Sequence, residues 1–369
     1  MPAPDRYTLY GTEFSLYTGK ARAYLRYKGI PFREVLSTLG VYRRTIVPGT
    51  GVSMIPVVET PEGELIQDTT DIIDRLESRF PERPVYPDTP AQRLAALLLE
   101  LYGDEWLLIP AMHYRWNFPA ENRRFLFAEF GRVVLPRAPA PLRRFAGGRL
   151  ARRFAGMLPG LGIDERTIPA IEQWYEGFLR DLDAHFAEHP YLFGGRASIG
   201  DFGLIAPLYA HLYRDPAPGR LMRRIAPHVA AWVERMNEPE PPIGDWLPDD
   251  AVPETLIPIL RRQFDEQFPV LADTALRVSE WIAKQPGERI RRTIGTHAFR
   301  IGEAHGERAV MPYALWMAQR PLDYYHGLSH TARAAADDLL VRAGGEAAMA
   351  MPLPRRVARR ENRLYPAGD

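Results

Sequence analysis

Ser15 stands where a side chain could activate a nucleophile, at the start of a predicted helix. It follows a short strand pattern, Tyr7–Tyr10, and precedes a helical pattern from about Tyr17 to Lys28 that Gly29 ends. Backbone N–H groups at a helix N-terminus, with the helix dipole behind them, favour a bound anion such as a thiolate. A hydroxyl there can donate a hydrogen bond to sulfur and lower the pKa of a bound thiol. The alternative, that Ser15 is only the N-cap of the helix, stays open.

Two further motifs lie at the ends of predicted strands. Pro56 begins a strand in the run Met54-Ile55-Pro56-Val57-Val58, and an edge strand often starts at a proline. Asp68 and Thr69 follow the next strand in the run Gln67-Asp68-Thr69-Thr70-Asp71-Ile72-Ile73. An acidic residue and a threonine before an apolar stripe also make an ordinary helix N-cap, so each motif alone is a weak signal.

The elements that position these motifs alternate over residues 1–82. The predicted strands are Tyr7–Tyr10, Pro31–Leu36, Ile55–Glu59 and Glu64–Gln67, and the predicted helices are Tyr17–Lys28 and Thr69–Phe80. A βαβ order requires a crossover helix between parallel strands, and the later ββα order gives an antiparallel pair. The sequence therefore predicts a small mixed α/β domain.

Residues 90–238 carry helical patterns only. The predicted helices are Ala91–Phe118 with a kink at Pro110, Ile168–Phe186, Phe202–Tyr213 and Leu221–Met236. The arginine-rich stretch 136–160 contains no acidic residue, and we interpret it as a solvated connector.

A proline cluster near residues 239–253 marks a boundary, and residues 250–369 form an extension. The extension is predicted to hold a helix over Glu254–Ile282 broken near Pro269, a hairpin of Thr296–Ile301 with Glu307–Met311, and a helical close from Ala314. Its apolar residues recur at helical spacing, so we expect it to pack on the helical domain or in a dimer interface. The arginine-rich tail is interpreted as a ragged terminus.

Composition excludes several classes of protein. The chain has 369 residues, 46% hydrophobic and 25% charged, as in ordinary globular proteins. With 47 basic and 46 acidic residues, its net charge of +1 gives no general attraction to nucleic acid. The sequence contains no run of 18 apolar residues, so it predicts no membrane-spanning helix. The first residues lack the signal-peptide pattern and the chain has no cysteine, so we expect a cytoplasmic protein without thiolate chemistry of its own.

Together these motifs resemble those of the glutathione S-transferase family, over about 230 of the 369 residues. A fourth motif joins them: Ser198 and Asp201 form the S-x-x-D capping box of that family's helical domain. The resemblance implies a thioredoxin-like glutathione-binding α/β domain at 1–82 and an all-α C-terminal domain at 90–238. Residues 250–369 lie outside the resemblance and are predicted to form a mostly helical extension with a hairpin.

The resemblance also implies roles for individual residues. Ser15 falls at the catalytic position of serine-type and cysteine-type members, with Leu16 where they carry proline. Ile55 would pair its backbone with the cysteinyl part of glutathione after a cis bond to Pro56. Asp68 and Thr69 would hold the γ-glutamyl end. Many members have lysine where Met54 stands, and Arg43 or Arg44 could bind the glycyl carboxylate instead.

The pocket for the second substrate is expected along the first long helix of the all-α domain. The resemblance implies an electrophile pocket lined by Tyr17, Trp106, Ile109, His113 and Trp116. An aromatic stripe is also typical of a helix core, and Tyr114 and Arg115 offer an alternative face.

The activity implied by the resemblance is that of a glutathione transferase acting in detoxification. A glutathione thiolate would attack an electrophilic small molecule, with glutathione as co-substrate, in a homodimer with no nucleic acid or membrane partner. Dehalogenase, etherase and isomerase variants start from the same thiolate. The alternative is a non-catalytic binding or assembly module of the same fold. A metal site at Asp323, His326 and His330 is not expected, because Gly327 interrupts the helix that would align them.

Overall fold

A computed structural model describes residues 6–239 and 243–368, and these residues group into two compact units. The first unit takes the chain as far as Pro84, then Ala111–Leu158 and the segment that begins at Ile205. The second takes Val85–Pro110, Pro159–Leu204 and the segment that begins at Ile243. The extension therefore shares a compact unit with helices from the middle of the chain.

The described residues contain the following regular elements. The strands are β1 (Tyr7–Gly11), β2 (Phe32–Leu36), β3 (Val57–Glu59), β4 (Leu65–Gln67), β5 (Thr296–Ile301), β6 (Ala304–Ala309), β7 (Val357–Arg360) and β8 (Arg363–Pro366). The α-helices are α1 (Leu16–Tyr27), α2 (Leu39–Val41), α3 (Val47–Thr50), α4 (Thr69–Arg79), α5 (Pro90–Leu101), α6 (Leu108–Trp116), α7 (Pro119–Val134), α8 (Ala140–Ala155), α9 (Ile168–Glu188), α10 (Ile199–Ala210), α11 (Pro216–Ile225), α12 (Pro227–Arg235), α13 (Ile257–Lys284), α14 (Pro312–Gly327), α15 (His330–Ala343) and α16 (Glu346–Met349). Two π-helical segments, Tyr42–Ile46 and Tyr102–Trp106, and two 3₁₀ turns, Pro159–Leu161 and Glu254–Leu256, complete them.

The first unit contains the predicted α/β domain. Its four strands lie in the order β2-β1-β3-β4, with β1 parallel to β2 and antiparallel to β3, and with β3 antiparallel to β4. Strand β1 is buried along its whole length, and Val57 and Val58 of β3 are fully buried. The predicted order of strands and helices along the chain and the predicted antiparallel pair are confirmed.

Two predicted helices differ from the structure near a proline. The long helix is interrupted at the π-helical segment Tyr102–Trp106 and not at Pro110. Pro110 is the third residue of α6, where a backbone N–H has no partner within the helix, so proline breaks no bond there. The predicted helix Leu221–Met236 is two helices, α11 and α12, that part at Ala226 because the residue before Pro227 is driven out of the helical conformation.

Helix α13 runs without a break through Pro269, contrary to the prediction. A proline removes the N–H that would bond to the carbonyl four residues earlier, which is that of Asp265. The guanidinium of Arg300, on strand β5, donates to this carbonyl oxygen at 3.4 Å. A contact from a distant hairpin therefore replaces the lost helix bond.

The extension is an integral part of the second unit, as expected from its apolar residues. Asp250 accepts hydrogen bonds from the backbone N–H groups of Ala91 and Gln92 at 2.8 and 2.9 Å, at the start of α5. The side-chain amides of Gln263 and Gln267, on α13, donate to carbonyls of α5 at 2.7 and 3.3 Å.

The predicted hairpin is present, although its second strand is Ala304–Ala309 and not Glu307–Met311. A tight connection at Gly302, where φ is +55°, brings the two strands together earlier than expected. The basic tail forms the hairpin β7–β8 and is not ragged over its described residues. Helix α8 occupies most of the stretch 136–160, which is therefore not a simple connector. None of the described helices is long and apolar enough to span a membrane.

Candidate functional site

Ser15 is the N-cap of α1. Its backbone is extended, with φ −88° and ψ 127°, and its Oγ accepts the N–H of Thr18 at 3.4 Å. A capping hydroxyl uses a lone pair as acceptor, so its hydrogen remains available to donate in another direction. The side chain is half-buried and lies at the N-terminal end of α1, where the helix dipole is positive. The N-cap role and the anion-binding role are thus compatible.

Tyr10 is the other hydroxyl at the end of β1, and it is already engaged. Its hydroxyl donates to Oε2 of Glu59 at 2.6 Å. Burial, together with this hydrogen bond and the carboxylate charge, raises the pKa of Tyr10 to about 12. Tyr10 therefore bonds across the sheet to β3, and its hydroxyl hydrogen is used in that bond.

The ends of three strands bring the sequence motifs to one edge of the sheet. Tyr10 pairs with Val57, and Val57 pairs with Gln67, so the end of β1, the start of β3 and the end of β4 lie side by side. Ser15 follows β1, the Ile55–Pro56 pair precedes β3, and Asp68 follows β4. Antiparallel pairing on both sides of β3 therefore places all three motifs at the same edge.

Ile55 and Pro56 form the entry to β3, and the peptide bond between them is cis, as the resemblance implied. Pro56 is buried, whereas Ile55 is half-buried and packs against the cluster of Tyr10, Ile46 and Val57. Residue 55 lies just outside the paired part of the strand, which begins at Val57.

Asp68 occupies an unusual backbone conformation at the start of α4. Its φ is +87° and its ψ is 135°, a region that residues with a Cβ seldom adopt. Its Oδ1 accepts the N–H of Thr70 at 3.0 Å, and Thr69 beside it is buried. Strain of this kind is often retained at binding sites, where the surrounding fold holds the residue in place.

Comparison with protein families decides the identity of this arrangement. The model of the glutathione S-transferase N-terminal domain matches residues 9–84, and the model of the glutathione S-transferase C-terminal domain matches residues 165–240. The chain contains both domains of the glutathione S-transferase family. The thioredoxin-like α/β fold and the helical C-terminal domain of that family are present here, with additional helices and strands at the C-terminus.

Solved structures with a similar fold share little sequence with this family member. A β-etherase, LigF, from Sphingobium sp. strain SYK-6 is 18% identical, over 63% of this chain and 95% of its own, with a TM-score of 0.44. A glutathione S-transferase from Methylobacterium radiotolerans in complex with glutathione sulfonate is 20% identical, over 67% of this chain and 100% of its own, with a TM-score of 0.39. FzlA from C. crescentus is 20% identical, over 68% of this chain and 96% of its own, with a TM-score of 0.39. No curated protein matches this chain in sequence.

The predicted glycyl-carboxylate ligands lie on the π-helical segment Tyr42–Ile46. Arg43 and Arg44 are both exposed, and the guanidinium of Arg44 lies near Gly40. Met54, at the position where many members of this transferase family carry lysine, is 43% exposed. The first unit thus presents two exposed guanidinium groups, and their role in binding the glycyl carboxylate stays a prediction.

The residues predicted to line the electrophile pocket differ in their surroundings. In the first unit, Tyr17 and Trp116 are half-buried and His113 is buried, with its Nδ1 and the side-chain amide nitrogen of Asn117 at 2.8 Å. In the second unit, Trp106 and Ile109 are buried. That these five residues line a pocket for the electrophile stays a prediction.

Trp106 has partners that no local sequence pattern revealed. Its ring packs edge-on to Phe299 of β5, with ring centres 6.3 Å apart, and lies 5.2 Å from the guanidinium carbon of Arg308 on β6. Both partners belong to the hairpin of the extension.

Arg115 proved to be a structural residue that the sequence did not identify. The sequence offers Arg115 as an alternative pocket residue, but its side chain is only 2% exposed and forms an ion pair with the buried Asp215. It also donates to the carbonyl oxygen of Phe14 at 2.9 Å, directly before Ser15. The only signal in the sequence was its position on the predicted long helix.

Metal ligands do not cluster in the part of the chain that the structure describes, where no group of three or more His, Asp or Glu residues could hold an ion. Asp323 and His326 lie on α14, whereas His330 begins α15, so the three residues do not share one helix.

Proposed function

We propose that this family member binds glutathione at the strand edge formed by β1, β3 and β4, and that Ser15 stabilises the glutathione thiolate. The observation that carries the proposal is the position of Ser15 as N-cap of α1, with a hydroxyl that accepts one helix N–H and can still donate. Membership of the family supports glutathione as the ligand. Because the Tyr10 hydroxyl donates to Glu59, Ser15 is a better candidate than this tyrosine for the group that stabilises the thiolate.

The proposed chemistry is nucleophilic substitution by sulfur. Thiol ionisation releases its proton to solvent, and the thiolate accepts the Ser15 hydrogen bond at the positive end of α1. A lone pair of the sulfur then forms a carbon–sulfur bond with the electrophile. The leaving group departs with the electron pair of the bond that breaks. The hydrogen bond lowers the pKa of the thiol, so more of it is ionised at neutral pH.

The glutathione subsites follow the three motifs at the edge. Asp68 would bind the γ-glutamyl ammonium group and Thr69 its carboxylate, while the backbone of Ile55 would pair with the cysteinyl part. Arg43 or Arg44 would bind the glycyl carboxylate. The Asp68 carboxylate and the exposed arginines have the charges that these groups need.

Family membership also leads us to propose a cytoplasmic homodimer with an electrophilic small molecule as second substrate, active in detoxification. Residues 1–82 would form its glutathione-binding domain, 90–238 its all-α domain and 250–369 the extension. Tyr17, Trp106, Ile109, His113 and Trp116 would contact the electrophile. Aryl or alkyl transfer, dehalogenation, ether cleavage and isomerisation all start from the proposed thiolate.

Isothermal titration of the full-length protein with glutathione tests the proposal directly. We expect dissociation constants in the micromolar-to-millimolar range and a thiolate ultraviolet absorbance at neutral pH that Ser15→Ala diminishes. If no heat of binding is detected at several millimolar glutathione, the proposal is wrong and the chain is better described as a non-catalytic binding or assembly module.

A further inference from the structure

The second unit contains a narrow cavity lined by parts of the chain that are far apart in sequence. The π-helical segment Tyr102–Trp106, helix α13 and the hairpin β5–β6 all contribute to its walls. Its free interior is about 10 Å³, which is room for about one water-sized group. Four polar or aromatic residues of the lining matter for its chemistry: Arg308, Glu105, His297 and Trp106.

Arg308 is a buried cation with unused donors. Its side chain is 5% exposed, and neither its Nε nor its Nη1 has a hydrogen-bond partner among residues 6–239 and 243–368. The rings of Trp106 and Phe299 lie 5.2 and 5.8 Å from its guanidinium carbon and contribute cation–π attraction. Such attraction uses the flat face of the guanidinium, so its N–H groups still need acceptors.

A third donor belongs to the same lining. Nε1 of Trp106 is buried and also lacks a hydrogen-bond partner in the part of the chain that the structure describes. Trp106 is 1% exposed, so bulk solvent does not reach this N–H group. Three N–H groups from two residues that line one small cavity are therefore unsatisfied, and an indole or guanidinium N–H can only donate.

The other polar groups of the lining are engaged or neutral. His297, the cross-strand neighbour of Arg308, shares a hydrogen bond of 2.8 Å between its Nδ1 and Oδ2 of Asp273. Burial lowers the pKa of His297, so it adds no charge at neutral pH. The hydroxyl of Thr274 donates to the carbonyl of Val270, and the amide of Gln267 donates to that of Leu101.

Charge decides what kind of acceptor suits the cavity. Burial lowers the pKa of Arg308 to about 10, and the charge of Glu105 opposes that effect without a hydrogen bond to Nε or Nη1. A water molecule has only two lone pairs and no charge. A monatomic anion accepts three N–H bonds from any direction and neutralises the guanidinium at contact distance.

We propose that this cavity is a binding site for a small monovalent anion of halide size, held by Nε and Nη1 of Arg308 and Nε1 of Trp106. The bound ion joins the hairpin of the extension to the π-helical segment, and the stability of the second unit depends on it. This site is independent of the proposed glutathione chemistry.

Thermal unfolding of the full-length protein tests the site. Bromide replaces gluconate stepwise at constant ionic strength, so that only specific binding changes the melting temperature. We expect a saturable rise of about 2–4 °C for the wild type, the shift that about 1 kcal/mol gives a domain of this size. Arg308→Gln should abolish the saturable rise, whereas Arg291→Gln, which removes an exposed positive charge near the hairpin, should retain it.

A second variant covers the case in which Arg308→Gln does not fold. Trp106→Phe keeps an aromatic ring but removes one N–H, and we expect the bromide midpoint to rise about fivefold, the effect of one hydrogen bond. Bromide-soaked crystals of the wild type should give an anomalous peak within contact distance of Arg308. The proposal is wrong if the wild type shows no saturable rise, if all variants respond equally, or if that position holds water only.

Discussion

Nη1 of Arg115 donates a hydrogen bond of 2.9 Å to the carbonyl oxygen of Phe14, the residue directly before Ser15. The same guanidinium donates to both carboxylate oxygens of Asp215, at 2.6 and 2.8 Å, and to the carbonyl of Ala210 at 2.8 Å. Arg115 and Asp215 are 2% and 0% exposed. A buried, fully engaged arginine therefore fixes the chain at the entry to the proposed catalytic residue.

Removing one member of this buried pair should be strongly destabilising. Burial raises the pKa of Asp215 and the Arg115 charge opposes that rise, so either group alone would be an uncompensated buried charge. We expect Asp215→Ala and Arg115→Ala each to lower the free energy of unfolding by about 3–5 kcal/mol, measured by urea denaturation. Arg166→Ala is the control, because its pair with Asp164 is exposed and should contribute less than about 1 kcal/mol. Equal costs for the buried and the exposed pair would contradict this assignment.

Asp68 should contribute to glutathione affinity and not to stability. Asn keeps the shape of Asp and is an equally good N-cap, so Asp68→Asn should change the free energy of unfolding by less than about 0.5 kcal/mol. It removes the charge proposed to bind the γ-glutamyl ammonium group. We expect the dissociation constant for glutathione to rise about ten- to a hundredfold, the loss of a charge-assisted hydrogen bond.

Asp71→Asn provides the matched control for this measurement by calorimetry. It removes a carboxylate from the first turn of the same helix, so it changes the helix-dipole interaction in a similar way. Comparable affinities of the two variants for glutathione would show that Asp68 makes no specific contact.

The stability of the second unit should fall as the pH is lowered, because His185 is buried in its neutral form. Burial, and then the nearby His189, lower the pKa of His185 to about 3, although the carbonyl of Tyr191 favours the charged form. Its Nδ1 lies 2.8 Å from Oγ1 of Thr255. The unfolded chain takes up a proton near pH 6.5, whereas the folded protein does so only near pH 3, so stability is lost progressively between these values.

Urea denaturation between pH 6.5 and 5 measures this loss before most carboxylates titrate. His185→Gln keeps hydrogen-bonding capacity but does not titrate, and it should reduce the slope of stability against pH by up to about 1.4 kcal/mol per pH unit. His228→Gln is the control, since His228 is exposed. An unchanged slope for His185→Gln would mean that this histidine is protonated in the folded state.

Local patterns in the sequence are sufficient to predict the elements of the α/β domain and the three motifs at the ends of its strands. Alternation of apolar residues and the position of Gly29 predict β1, α1 and their connection, because short-range periodicity reflects which face is buried. The same patterns could not predict that Arg300 compensates for Pro269, or that the ring of Trp106 meets Arg308. Those contacts join residues tens to hundreds of positions apart, and no local period encodes them.

Asp250 is the clearest long-range contribution of the extension, and it should stabilise α5. Thr89 stands at the N-cap position of that helix but makes no side-chain cap, whereas Asp250 accepts two N–H groups of the first turn from 159 and 158 residues away. We expect Asp250→Ala to lower the free energy of unfolding by about 1–2 kcal/mol in urea denaturation. Asp249→Ala, a change at the preceding residue in the loop, should have a much smaller effect. If both substitutions cost the same, the cap contributes nothing to stability.

Ser15, and not a tyrosine, should set the pKa of bound glutathione. Ser15→Ala removes both the cap and the proposed thiolate hydrogen bond, so we expect kcat/KM with an activated aryl halide to fall about ten- to a hundredfold. The lower limb of the pH–rate profile should move up towards the pKa of the free thiol. Tyr10→Phe should have a mild effect, because that hydroxyl donates to Glu59 and not to the ligand.

Ser15→Asp separates the helix cap from the proposed thiol chemistry. Aspartate is as good an N-cap as serine, so this variant should unfold at nearly the same urea concentration as the wild type. Its carboxylate cannot donate a hydrogen bond to the thiolate and repels it, so the pKa of bound glutathione, measured by thiolate ultraviolet absorbance, should rise at least as far as in Ser15→Ala. A raised thiol pKa in Ser15→Ala, together with retained stability in Ser15→Asp, identifies Ser15 as the activating group and separates that role from the helix cap. Full activity and an unshifted profile in Ser15→Ala, with loss of activity in Tyr10→Phe or Tyr17→Phe, would instead assign that role to a tyrosine.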